Sequence, residues 1–256
     1  MSVFLMHGLT RAFHALAIYV VILVLGLVYL YLPADGTPDT APLITRGWWI
    51  QALLALFSLY YAWRYFGWTG AGFGRFKMDG VIWLFPAVFV LLLLFIQLSE
   101  EVRVDSLTTE HWRILGLIAV TTFLIGVSEE VMFRGILLRG ALQRMGVLPA
   151  MLLSAAAFSL LHTVNLLGGL PFWDLLKQLG FTFLVGVFLA PLALVIGNLW
   201  PLIIWHWLWD MAIFSSTYMN VIQPLALSGI LVQVVIGGWL WGKVLRAYPD
   251  GMAQAS

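Results

Sequence analysis

The chain has no cysteine, which excludes disulfides and thiolate metal sites and leaves its redox compartment unread. Charge is nearly as scarce: 10% of the 256 residues are Asp, Glu, Lys or Arg, and the net charge is +1. A nucleic-acid partner needs a concentrated basic face, so none is expected. There is no Asn-x-Ser/Thr acceptor, and there is no HExxH, GxSG or GxGD protease signature. The first residues do not read as a cleaved leader. The apolar run from Ala12 to Ala34 is too long for a leader core and no small-x-small site follows it, so it reads as a first membrane span.

What the chain does have is apolar surface. It is 62% hydrophobic with a mean hydropathy of +0.98, more than a soluble core of this size could bury. The expected fold class is therefore an all-α polytopic membrane protein, a single integral membrane domain over residues 1–256. Uncharged runs predict about eight spans, at 13–32, 47–66, 80–98, 112–134, 147–167, 174–196, 199–218 and 225–245. Asn198 with Pro201, and Gln223 with Pro224, divide the two longest uncharged runs. Thirteen tryptophans, many near predicted span ends, suit interfacial anchoring. The Gly-rich stretch 67–80 lacks the Lys-Ser/Thr of a phosphate loop and reads as a flexible turn.

Charge asymmetry orients the spans. With N- and C-termini both cytoplasmic, the inside carries Arg11, Arg64, Arg75, Lys77, Arg134, Arg139, Arg144, Lys243 and Arg246. The outside carries only Arg46, Arg103, Arg113 and Lys177, beside the acids Glu100, Glu101, Asp105 and Glu110. This is the positive-inside pattern. The compositional style suggests an integral protein of the prokaryotic cell (inner) membrane.

Against this background the polar residues within spans stand out. Glu129 and Glu130 are adjacent, with Arg134 four residues after Glu130. Glu130 and Arg134 are i and i+4 in the favoured acid-first order, while Glu129 lies about 100° away around a helix and meets a different neighbour. The bland reading is two acids marking a span end; the doublet with its arginine in apolar flanks weighs against it. His162 follows Phe158 by four residues, and alone it reads equally as an interhelical hydrogen-bond donor. His206 and Asp210 are also i and i+4, and Asp210 is the only acid between Asp174 and Asp250. His7, His14 and His111 fall at span ends or loops and receive no role. Ser128 and Ser159 are weak nucleophile candidates, since nothing supplies a third triad member.

Taken in order, Glu129-Glu130-x-x-x-Arg134, Phe158-x-x-x-His162 and His206-x-x-x-Asp210 resemble the three motifs of the CAAX-protease and bacteriocin-processing family. This family, also called the Abi family, contains the Ras-converting CAAX endopeptidase. The resemblance covers about half of the chain, with a core at about 112–218. It implies a glutamate-dependent intramembrane endopeptidase built of about eight transmembrane helices around a cytoplasm-facing catalytic cavity. It further implies that Glu129 activates the attacking water, assisted by His162, while Glu130 and Arg134 hold their helix in place. His206 and the residue at 210 would stabilise the oxyanion, and Phe158 would pack the cavity wall. The best-known members carry asparagine where this chain has Asp210, and an ionised aspartate would repel an oxyanion.

Other classes use the same residues. Two histidines with two or three carboxylates suffice chemically for zinc, although the ligands would come from three helices; no cofactor is the favoured reading. Intramembrane Glu, His and Asp also build proton relays, so a proton-coupled transporter or a non-catalytic scaffold is the alternative. No pair of matching broken helices supports transport. The expected partners are the lipid bilayer and a peptide or protein substrate with a membrane-associated segment.

Overall fold

The computed structural model describes residues 8–31, 46–102 and 107–248; His7, Arg103, Asp105 and Asp250 lie outside them. In hydrocarbon a backbone must satisfy its own polar groups, so the apolar runs become helices. Eight helical segments form among the described residues: α1 (Gly8–Tyr31), α2 (Trp48–Phe66), α3 (Met78–Glu101), α4 (Thr109–Leu142), α5 (Val147–Gly168), α6 (Phe172–Ile196), α7 (Trp200–Tyr218) and α8 (Leu225–Ala247). The only β pairing among these residues is an isolated bridge between Phe73 and Asn198. The chain is an all-helical integral membrane protein, and α3 shows why. Phe85, Phe89, Leu92 and Ile96 form an exposed stripe along it that only lipid would solvate.

Both splits of the long runs stand where the sequence puts them. After Ile196, Gly197 adopts a φ of +72°, a left-handed turn that glycine takes without a steric penalty. The Asn198 side chain then accepts from the Trp200 N–H at 3.0 Å and opens α7, with Pro201 in its first turn. Pro224 immediately precedes α8, where its missing N–H would have had no helical partner.

Two expectations need correction. α4 runs on to Leu142 rather than stopping at 134, because Arg134 is wholly buried and paired, not an interfacial charge. Its α-helix Thr109–Glu130 passes into a π-helical stretch, Val131–Leu137, before closing as Leu138–Leu142. Here the Leu138 N–H reaches back five residues to the Phe133 carbonyl, and Ser154 Oγ donates to the same oxygen at 2.8 Å. Such widened turns recur at functional sites. The Gly-rich stretch 67–80 is not a loose turn either. Leu199 N–H donates to Gly72 O at 3.0 Å, Asn198 Nδ2 to Gly74 O at 2.8 Å, and Lys77 N–H to Ile196 O at 3.0 Å, which tie it to the α6–α7 turn.

α4 lies at the centre, packed against α2 and α7, while α6 lies between α5 and α8. Close approach needs small residues, since helices in lipid associate by contact rather than by water exclusion. At Gly186 an added Cβ would stand 2.8 Å from the Ala155 Cα, and at Gly126 one would stand 3.1 Å from the Ile203 carbonyl oxygen. Six of the eight segments are long and apolar enough to cross a bilayer; α2 and α7 are not among them. Their Trp, Tyr, Gln, Arg, His and Asp residues lower the hydropathy, and both flank α4 within the bundle, where full lipophilicity is not required.

The bundle has two chemically different ends. Arg11, Arg64, Arg75, Lys77, Arg139, Arg144, Lys243 and Arg246 belong to one end, where the start of α1, the 67–77 turn and the α6–α7 turn meet. At the other end, Glu110 pairs with Arg113 at 2.5 Å and Asp174 with Lys177 at 3.0 Å, alongside Glu100 and Glu101.

Candidate active site

The α-helical turn at the end of Thr109–Glu130 sends the two adjacent glutamates in different directions. Glu130 points into the core and is fully buried. Its Oε1 accepts from Arg134 Nη1 at 3.0 Å and from His206 Nδ1 at 2.9 Å. Glu129 instead lines a cavity of about 250 Å³ and keeps 13% of its side chain exposed. His162, His206, Asp210 and Phe158 line that cavity too; Glu130 and Arg134 do not.

Phe158 is the hub of the arrangement. The Arg134 guanidinium carbon sits 4.2 Å from its ring centre, a cation–π contact that covers a buried charge. The ring also meets Phe133, His162 and His206 edge-on, with centroids 5.5, 5.3 and 5.9 Å apart. Arg134 Nε and Nη2 and Glu130 Oε2 have no hydrogen-bond partner, so the aromatic face substitutes for part of the missing solvation.

The two histidines are held differently. His162 Nδ1 lies 3.0 Å from the Phe158 carbonyl oxygen. A carbonyl only accepts, so Nδ1 carries a proton, and in the neutral ring Nε2 is the nitrogen that keeps the lone pair. His206 is clamped between acids: Nδ1 donates to Glu130, while Nε2 stands 3.3 Å from Asp210 Oδ2 and 3.9 Å from Glu129 Oε2. With both nitrogens facing carboxylates, the imidazolium form satisfies every contact.

All seven sequence candidates therefore converge, although they come from three helices. The serine candidates do not join them. Ser128 Oγ is buried against Tyr19 Oη at 3.0 Å and donates to Ile125 O, and Ser159 Oγ donates to Leu179 O at 2.7 Å; neither lines the cavity. Among the described residues no group of three or more His, Asp or Glu is arranged to hold a metal ion; His206 pairs with Glu130 through one nitrogen and with Asp210 through the other. His14 and His111 lie apart from the cavity, His111 capping α4 together with Thr108. The sequence reading missed the neutral polar lining: Gln51, Asn165, Gln178 and Thr182, with Asn165 Nδ2 donating to Gln178 Oε1 at 2.8 Å. Their only sequence signal is an amide or hydroxyl inside an apolar run, which is weaker than a charge.

Comparison with known families gives a match over the middle helices of the bundle. The family model described as type II CAAX prenyl endopeptidase Rce1-like matches residues 111–212, from the first turn of α4 into α7. This segment is Rce1-like. Comparisons with curated proteins and with solved structures gave no match. The Rce1-like segment holds all seven motif residues. A CAAX endopeptidase family implies a peptidase acting on a peptide or protein substrate.

Proposed function

We propose that the chain is an intramembrane endopeptidase that hydrolyses a peptide bond in a membrane-associated protein or peptide. The observation that carries this reading is the separation of the two glutamates, with Glu129 facing the cavity beside His162 and Glu130 sealed against Arg134 and His206. A water between Glu129 and the His162 Nε2 lone pair gives up a proton to Glu129 as its oxygen bonds to the scissile carbonyl carbon. The carbonyl electron pair becomes an oxyanion that meets the His206 Nε2–H, a donor fixed in place by Glu130 through the opposite nitrogen. Collapse of the intermediate breaks the C–N bond, and the proton held by Glu129 passes to the departing amine. Asp210 holds the His206 Nε2–H toward the cavity until the oxyanion takes its place.

The test is proteolysis by purified protein in detergent or liposomes, comparing wild type with Glu129→Ala, His162→Ala and His206→Ala. Equal processing by all three variants refutes the assignment. Full activity in excess EDTA or phenanthroline excludes a required metal. Proton flux that depends on Glu129 without cleavage favours the transporter reading instead. The substrate is approached by trapping a bound peptide on Glu129→Gln and identifying it by mass spectrometry.

A further inference from the structure

The cavity and the basic residues lie at opposite ends of the bundle. The cavity floor is formed by Glu129, Phe158 and His206. From there the lining climbs through Leu27, Gln51, Asn165, Gln178, Ile213 and Phe214. Each of these lies within about two turns of the α1, α2, α5, α6 or α7 terminus at the acidic end. These termini meet there: Tyr29 packs edge-on against Trp49, and Asn165 bonds Gln178.

Below the floor the way is shut. Phe133, Arg134, Ile136, Leu137 and Leu202 have no exposed surface, and they lie between Glu129 and the basic turns. A solvated substrate has no route through that layer.

The positive-inside rule assigns the basic end to the cytoplasm, and it applies with force here because the turns at 67–77, 143–146 and 197–199 are short. Among the described residues the opposite end carries only the cations Arg46, Arg113 and Lys177, against eight at the basic end. On this geometry a cytoplasm-facing cavity and cytoplasmic termini cannot both hold.

We propose that the catalytic cavity opens to the non-cytoplasmic side, through a polar mouth formed by Asn165 and Gln178, with Gln51 buried in the wall beneath it. The substrate is then a membrane-anchored peptide already translocated, whose scissile bond lies in the outer half of the bilayer or at its outer surface. The neutral amides of the mouth offer donors and acceptors to an extended backbone without demanding a charged side chain. The sidedness rests on the described geometry alone, whereas the substrate class also rests on the endopeptidase reading.

The cysteine-free sequence makes the test direct, since every introduced thiol reports without background. Thr163→Cys and Gln178→Cys report on the mouth, Ile213→Cys on the cavity, and Thr69→Cys and Arg144→Cys on the basic end. Each is exposed to a membrane-impermeant maleimide in intact cells and in inverted vesicles. In intact cells the mouth and cavity thiols should be modified at least about tenfold faster than the basic-end thiols, and inverted vesicles should reverse the order for the basic-end pair. Modification of Thr69→Cys and Arg144→Cys from outside, or of Ile213→Cys only from the basic side, overturns the proposal. Cleavage is scored separately, using one membrane-anchored peptide with its scissile bond outside the bilayer and another with it inside. Outward thiols with neither peptide cut would defeat the endopeptidase reading and leave the sidedness standing. Outward thiols with only the inner peptide cut would overturn the proposed substrate class.

Discussion

Replacing each glutamate with glutamine separates two jobs that the sequence places side by side. Glu130→Gln keeps the side-chain shape and one acceptor oxygen but removes the charge that Arg134 and His206 both face, at 3.0 and 2.9 Å. Arg134 then remains wholly buried with no counter-charge within hydrogen-bond range. Breaking a buried pair from one side costs about 3–5 kcal/mol, because a desolvated charge is left behind. At about 2–4 °C per kcal/mol for a domain of this size, the apparent Tm in detergent should fall by roughly 6–20 °C. Glu129→Gln changes a partly exposed group with no close cationic partner other than His206, 3.9 Å away. Its Tm should stay within a few degrees of wild type, while kcat falls by about 10²–10⁴-fold, the range for loss of a general base.

Intrinsic tryptophan fluorescence reads both unfolding curves, and cleavage of one fluorogenic membrane peptide reads both activities. A second comparison distinguishes charge burial from generic damage. In Glu130→Gln/Arg134→Met the orphaned cation is gone, so more than half of the lost Tm should return although activity does not. If Glu130→Gln proves as stable as wild type, or if Glu129→Gln is the variant that unfolds, the division of roles is refuted.

Three further outcomes follow from the same geometry. Asp210→Asn keeps an oxygen for the His206 Nε2–H and removes a charge 3.3 Å away, so cleavage should hold steady or rise up to about tenfold; a tenfold loss in a steady-state assay would show that the carboxylate itself is needed. Ser128→Ala should retain cleavage within about threefold and lower Tm by a few degrees, since Tyr19 Oη loses its partner at a cost of about 1–3 kcal/mol; abolished turnover in a well-folded variant would revive the serine reading. Gly186→Val should unfold well below wild type in a thermal melt because even a Cβ meets the Ala155 backbone at 2.8 Å, whereas Gly180→Ala, with nothing within 4 Å, should not.

Much of the bundle was legible because hydrocarbon leaves a chain few options. Uncharged runs of membrane length must be helices, and Asn198 with Pro201, and Gln223 with Pro224, interrupt them where the structure turns. The site residues were legible for a related reason: a charge within such a run is costly, so Glu129, Glu130, Arg134 and Asp210 announce themselves. Neutral polar groups carry a smaller penalty, which a hydrogen bond offsets, and Gln51, Asn165 and Gln178 accordingly passed unnoticed. Cavity direction was hidden for a different reason. Charge counting assigns a side to each helix end, but it does not say which end is packed solid and which is open. The buried layer around Phe133 and Ile136 decides that, and it forms only when α4, α5 and α7 come together.

The π-helical stretch explains how one helix serves both ends of the site. Up to Glu130 the α-helical period turns successive residues by about 100°, which alone parts the two carboxylates. Beyond it the wider turns of Val131–Leu137 place Phe133 and Arg134 on the α5 side, where Ser154 holds the Phe133 carbonyl and the Phe158 ring receives the guanidinium. Arg134 thus binds Glu130 within its own helix and Phe158 on the next, and Phe158 offers its carbonyl to His162. His206, on the third helix, completes the frame through Glu130. Three motifs far apart in sequence are fixed to one another through a buried ion pair and one aromatic ring. Glu129 is left as the acid facing the cavity free of that frame, which is the condition a proton-transferring group requires.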